Sequence, residues 1–357
     1  MNTERYAKII AQQFGFDHHT AKMKPIGNGH INTTMLLQHS GGAVVVQKLN
    51  TQVFAQPQEL IANARKIEQH LKGKQVTGEY NLEIIEHLPT LEQRYSVEIE
   101  GQCWRALAFI SESRSEDVVL CAAQAKIAAG AFGQFAAALQ DFDATLLYPV
   151  IKNFHNLSMR MQMLDKAVRE DKAGRVASVA EQLAFCNEQM HLVDELAALE
   201  QVLPLRVCHN DTKINNMLFS TKDNSAKAVI DLDTCMPGLW LFDFGDMVRT
   251  FCSPETEDST NLDNVVVRED IFAALVQGYI EPLKEHITAQ EKASFWLGAQ
   301  VMPFMIGVRF LTDYLDGDNY FSIKHPNHNL ERANNQFALY RDVVAQQHTL
   351  KALILQA

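Results

Sequence analysis

The segment HNDTKINN, residues 209–216, holds His209-x-Asp211 and, five residues past the aspartate, Asn216. Phosphoryl transfer to an alcohol needs a carboxylate to receive and align the hydroxyl, and hard oxygen ligands for a magnesium ion. HxDxxxxN puts both on one loop, and Lys213 is spaced to meet a transferring phosphate. A lone Asp or Asn in a loop carries no meaning, so the weight falls on the residues downstream of the loop. MLFSTKDNSAKAVI, between Asn216 and Asp231, is two apolar runs around a turn at Asp223-Asn224. A tight antiparallel hairpin about that turn pairs position 216 with position 231 and brings both side chains to its open end. Asn216 and Asp231 are therefore the expected metal ligands. Asp233 returns to the same side of an extended strand and is a further candidate for metal or substrate.

Asp243-Phe244-Gly245 spells the tripeptide that holds magnesium in protein kinases. Hairpin pairing cannot place Asp243 beside Asn216, so the expected role is structural, accepting hydrogen bonds from the catalytic-loop backbone or capping a helix. No GxxxxGK[ST] occurs, which excludes a P-loop. AVIDLDTC is near the DxDxT start of haloacid-dehalogenase phosphatases, but Cys235 stands where Thr is needed.

Upstream, IGNGHINTT precedes a strand. Gly27, Asn28 and Gly29 sit where a flexible cover offers backbone N–H groups to nucleotide phosphates. His30 and Asn32 follow and are expected to face substrate. A kinase-type site also needs a lysine on its third strand, yet VVVQKLN sets Gln47 at that position. Lys48 is one residue out of phase and points to the other face unless a bulge rescues it. Glu59 and Glu68 are the acidic candidates on the next helix.

The elements that must carry these residues divide along the chain. Residues 1–110 read as mostly β: strands over 33–38 and 43–49 joined at Ser40-Gly41-Gly42, a helix over 57–74, then strands near 82–88, 94–99 and 103–110. Residues 111–357 read as helical, over about 119–140, 157–169, 176–200, 267–284, 289–315 and 327–354, with a β island at 205–233. The expected fold is α+β and bilobal: a small antiparallel sheet with one helix, then a larger helical catalytic lobe.

Composition sets the outer bounds. The 357 residues are 47% hydrophobic and 21% charged, as in an ordinary globular protein. A net charge of −11 argues against nucleic acid. The first residues carry no apolar leader pattern, and the apolar run 295–311 contains Gln300, Pro303 and Arg309, so a core helix is expected rather than a membrane span. Six cysteines without CxxC spacing read as buried small hydrophobes of a cytoplasmic protein.

GNGHINTT (27–34), LRVCHNDTKINNML (205–218), IDLDTCMPGLWLFDFGDMVR (230–249) and RFLTDYLDGDNYFSIKHPNHNLER (309–332) resemble the aminoglycoside phosphotransferase and choline kinase superfamily, and within it the N-acetylhexosamine 1-kinases. The resemblance implies a protein-kinase-like fold and ATP with Mg2+. It implies Asp211 as catalytic carboxylate and Asn216 with Asp231 as metal ligands. The acceptor it implies is N-acetylglucosamine or N-acetylgalactosamine, phosphorylated at the anomeric hydroxyl. His30, Asn32, Arg309, Asp313 and Tyr320 then supply the mixture of donors, acceptors and a ring that a pyranose needs. Two rivals remain open at this level: a kinase of another small alcohol, such as an aminoglycoside or amino alcohol, and a nucleotide-binding pseudokinase scaffold.

Overall fold

The computed structural model describes residues 3–27 and 31–357. They form two compact units. The first comprises residues 1–115, 145–152 and 217–236, and the second 116–144, 153–216 and 237–357.

The first unit is built on an antiparallel sheet. Its strands are β1 (Lys22–Pro25), β2 (Thr33–His39), β3 (Gly42–Lys48), β4 (His87–Leu88), β5 (Val97–Ile99) and β6 (Gln102–Ala108), ordered β1-β2-β3-β6-β4 with β5 also on β6. Alternation decides its faces. Val44, Val46, Trp104 and Ala106 turn toward helix α1 (Thr3–Phe14) and bury its Ala7, Ile10, Ala11 and Phe14. Gln47 and Arg105, which pair across β3 and β6, take the opposite face. The β2–β3 and β3–β6 registers run without interruption, so no bulge brings Lys48 round, and Lys48 pairs with Trp104 on the α1 side. Helix α2 (Pro57–Thr77) starts with proline, whose fixed φ suits a first turn, and ends on Gly78 in the left-handed region.

A second, three-stranded sheet in this unit joins β7 (Ser113–Arg114) to the hairpin β9 (Met217–Ser220) and β10 (Ala226–Val229). The hairpin forms where expected but in a different register. Its loop is closed by Ser220 and Ser225 rather than by a two-residue turn, and a bulge lies between Ala226 and Ala228. Met217 consequently pairs with Val229, one residue away from the expected alignment.

The second unit is helical. Helices α3 (Ala122–Ala138), α4 (Leu157–Glu170), α5 (Ala180–Glu188) and α6 (His191–Glu200) precede strand β8 (Arg206–Cys208), which pairs with β11 (Met236–Gly238). Helices α7 (Trp240–Phe251), α8 (Glu269–Leu283), α9 (Ala289–Asp316), α10 (His328–Ala345) and α11 (Gln347–Gln356) complete it. The long helix expected over 176–200 is broken into a 3-10 turn, α5 and α6, and the one over 327–354 is broken at Gln346. Helix α9 opens with a complete capping box between Thr288 and Glu291. It is long and apolar enough to cross a membrane, yet 89% of its most apolar window is buried in the unit. Four of the cysteines are buried as expected; Cys103 is half-buried and Cys121 is exposed.

Candidate active site

The loop after β8 is fixed by one buried side chain. Asp243, in the first turn of α7, accepts the backbone N–H of His209 at 2.8 Å and of Asn210 at 2.7 Å, and its own carbonyl accepts the Thr212 hydroxyl at 2.7 Å. The sequence-based expectation for Asp243 is met. Burial pushes its carboxyl up to about 7; the two N–H bonds oppose this, and the charges of Asp246 and Asp211 add to it. His209 packs edge-on against Phe132 and Phe135 of α3, and Asn210 takes a left-handed conformation with φ of 64°. Asn adopts that backbone state readily, which lets the chain turn sharply before Asp211.

Thus anchored, the loop presents Asp211. Asn216 Nδ2 donates to its carboxylate at 2.9 Å and to its carbonyl at 2.8 Å, and Lys213 Nζ lies 3.1 Å from Oδ1. Asp211 keeps 26% of its side-chain surface exposed and Lys213 40%, so both stay reachable. Burial works against charge on Asp211, but Lys213 and His209 prevail and hold its carboxyl below the usual range. Asp211 in turn raises the Lys213 ammonium pKa. The arrangement is an ionised base beside a cation, as phosphoryl transfer to a hydroxyl requires.

Beyond this triad the same unit holds a group of cations and rings. The Arg309 guanidinium lies 5.3 Å from the Phe154 ring centroid, 5.8 Å from that of Tyr320 and 5.5 Å from that of Phe321. Its own partner is Tyr320, and burial lowers its pKa. Burial, then Arg309, brings Arg160 down to about 10. The hydrogen bonds of Arg160 go to the carbonyls of Asn153 and Phe154 and to the Met163 sulfur, none of them acidic. His155, stacked on Phe242 at 4.9 Å, is held down to about 3 by burial and by these two arginines, and it also senses Asp211. Among the described residues no carboxylate contacts either arginine, although the charge of Glu257 reaches Arg309.

Asp313 departs from expectation. Its carboxylate accepts the N–H groups of Asn319, Tyr320 and Phe321 at 2.8–2.9 Å and the Asn329 amide at 2.9 Å. Four bonds exhaust the acceptor sites of a carboxylate. Asp313 therefore shapes the turn and leaves no oxygen for a sugar hydroxyl, while Tyr320, 59% exposed, is the side chain that the turn displays.

In the first unit, Asp231 follows β10 with φ of 60°, so the strand ends before it and the ladder does not pair it with position 216. Leu232–Thr234 is a 3-10 turn, so the strand alternation invoked for Asp233 does not apply. Asp233 is 3% exposed; one oxygen meets Arg105 at 2.5 Å and the other accepts the Asn32 amide at 2.6 Å. Each Asp233 oxygen thus has one protein partner, and the carboxylate is the buried counter-ion of Arg105. Asn32 is also engaged at both ends of its amide, its oxygen accepting the Asn50 N–H at 2.9 Å. Gln47 donates to the Thr34 hydroxyl at 3.1 Å and accepts two bonds from Arg105, so its oxygen is spent on that arginine. Glu68 is committed to His87, with Lys72 and Arg65 beside it. Gly27 has φ of 71° and open space around its Cα, whereas Asn28, Gly29 and His30 lie outside the described residues.

No three His, Cys, Asp or Glu side chains gather as a metal-holding group among the described residues. A hard cation that shares its shell with phosphate oxygens and water needs only one or two protein oxygens. Asn216 fits, because its amide nitrogen is spent on Asp211 while its oxygen has no hydrogen bond among the described residues. Arg105, Arg160 and Phe154 are functional candidates that local sequence pattern does not single out. The one signal for Arg105 is a charged residue inside the apolar run CWRALAFI, in phase with Leu107.

The profile of the phosphotransferase enzyme family (APH) matches residues 22–281. Among solved structures, a microcompartment-associated aminopropanol kinase superposes with a TM-score of 0.61 at 12% identity, over 97% of this chain and 98% of its own. Choline kinase from Cryptosporidium parvum gives 0.56 at 13%, over 98% of each chain. A spectinomycin phosphotransferase solved with ADP and spectinomycin gives 0.55 at 14%, over 98% of this chain and 99% of its own. At such identities the likeness is one of fold.

Proposed function

Because the chain belongs to the phosphotransferase enzyme family, we propose that it is an N-acetylhexosamine 1-kinase, moving the γ-phosphate of ATP to the anomeric hydroxyl of N-acetylglucosamine or N-acetylgalactosamine. The observation that carries this choice of acceptor is the pair Arg309 and Arg160, neither of which has a carboxylate in contact among the described residues. Choline, ethanolamine and aminoglycosides are cations, and a guanidinium with no contacting carboxylate disfavours them. A neutral sugar with a carbonyl-bearing acetamido group gains a donor from Arg309 and an apolar wall from the rings of Phe154 and Tyr320.

In this reading the Asp211 carboxylate aligns the anomeric hydroxyl and takes its proton as the sugar oxygen bonds to the γ-phosphorus and the bond to the β–γ bridging oxygen breaks. An anomeric hydroxyl is more acidic than an ordinary alcohol, so the proton moves late. Lys213 neutralises charge on the transferred group. Asn216 and Asp231 are the proposed holders of magnesium, which would offset the charge of the nucleotide phosphates. The test is a coupled ADP-release assay with Mg·ATP against N-acetylglucosamine, N-acetylgalactosamine, glucose, galactose, kanamycin and choline, with phosphorus NMR of the product. An anomeric phosphate formed from the N-acetyl sugars is expected; turnover of kanamycin or choline instead would reject the acceptor assignment.

A further inference from the structure

A kinase-type sheet normally offers the nucleotide a lysine on its third strand, held by a glutamate of the following helix. Here the strand position is Gln47, and Glu68 of α2 is turned to His87. A cation is nevertheless present on the same sheet face, one strand over. Arg105 of β6 is the direct cross-strand partner of Gln47. Its Nε and one terminal nitrogen donate to Gln47 Oε1 at 2.9 and 2.6 Å, and that nitrogen also meets Asp233 at 2.5 Å. Thr34 and Asn32 steady Gln47 and Asp233 from behind. A guanidinium carries five N–H donors in a rigid fork. Three are spent here, and the second terminal nitrogen has no partner among the described residues.

We infer that Arg105 supplies the positive charge that binds the nucleotide phosphates, in place of a lysine on β3. Asp233 and Gln47 are its positioning residues, so the ion pair has moved from β3–α2 to β6 and the turn after β10. Burying both ions forfeits their solvation, so such a pair is weak as a device for stability alone. An oriented fork with spare donors matches phosphate geometry. The charge and the strand register explain together why Gln47 is acceptable where lysine is expected: its amide oxygen fixes the plane of the arginine next door.

This inference rests on the phosphotransferase reading, and nucleotide binding without acceptor separates the two. Calorimetry with ADP, AMP and adenosine is run on the wild type, Arg105→Gln and Gln47→Lys/Arg105→Gln. Arg105→Gln should weaken ADP about tenfold or more, AMP less, and leave adenosine unchanged, as loss of charge-assisted bonds predicts. The double variant, with its cation back on β3, should recover most of the loss. Equal weakening of all three ligands, or none, overturns the inference. If Arg105→Gln loses its circular dichroism, Arg105→Lys replaces it: ADP weakened several-fold with adenosine unchanged supports the inference, and equal loss of both rejects it. A wild type that binds no ADP rejects the phosphotransferase reading itself.

Discussion

Asp211 is the residue on which the catalytic assignment turns, and its environment was legible from spacing because its partners are local. Asn216 and Lys213 reach it within one loop. Asp211→Asn keeps the size of the side chain and removes the base. Turnover should fall by about 10²- to 10⁴-fold, the usual worth of a positioned base, with ADP affinity and melting temperature nearly unchanged. Steady-state kinetics with calorimetry check this; retention of most of the activity would remove Asp211 from its role. Asn32, Asp233 and Asp313 show the opposite case. Each has the right chemistry for substrate or metal; Asn32 and Asp233 are engaged by other protein groups, and Asp313 has all four acceptor sites filled. Residue type alone cannot tell an available carboxylate from a spent one.

Elements explain what Asp243-Phe244-Gly245 does within this fold. Asp243 ties down the catalytic loop, and Phe244 stacks on Phe295 at 4.6 Å inside an aromatic cluster with Phe272 and Tyr279. Gly245 lets α7 touch α9, where a Cβ would collide with the Gly298 carbonyl. Gly245→Ala should therefore cost about 1–3 kcal/mol or more, as overpacking against rigid backbone does. Gly73→Ala, in exposed helix with no atom within 4 Å of the new methyl, should instead stabilise by about 0.5–1 kcal/mol. Urea titration of both variants checks the contrast, and a neutral Gly245→Ala would refute the helix-contact argument. The hairpin teaches the limit of local pattern. Its strands were legible from two apolar runs, but its register was not, because a wider loop and a bulge at Lys227 each shift the pairing. The bulged Lys227 offers its carbonyl to the Glu83 N–H at 2.7 Å, a partner far off in sequence.

At the scale of the whole molecule, stability integrates groups that titrate in opposite senses. Glu68 and Asp258 are held down to about 2, Glu68 by His87 and Lys72, Asp258 by Lys324 and Arg332, in each case against burial. Their stabilisation is present above the ordinary carboxylate range and lost as pH falls through 2. Asp243, raised from 3.8 to about 7, has the reverse sign. Its folded form binds an extra proton, so its contribution is full below about pH 4 and is lost as pH rises through 7. The melting temperature should peak near pH 5 and decline toward pH 8. Asp243→Asn should melt lower at pH 5, since an amide offers one oxygen to two N–H donors, and should flatten that decline. A wild-type curve flat from pH 5 to 8 by calorimetry would contradict the assignment. Sequence by itself determined the α+β order, the core character of α9 and the grouping of Asp211, Lys213 and Asn216 on one loop. All of these follow from local periodicity or short spacing. The tertiary structure alone decided which polar side chains remain available, the hairpin register, and the cation on β6. Each depends on partners separated along the chain by up to 201 residues, as Asn32 and Asp233 are. Local pattern carries no information about who meets whom at that range.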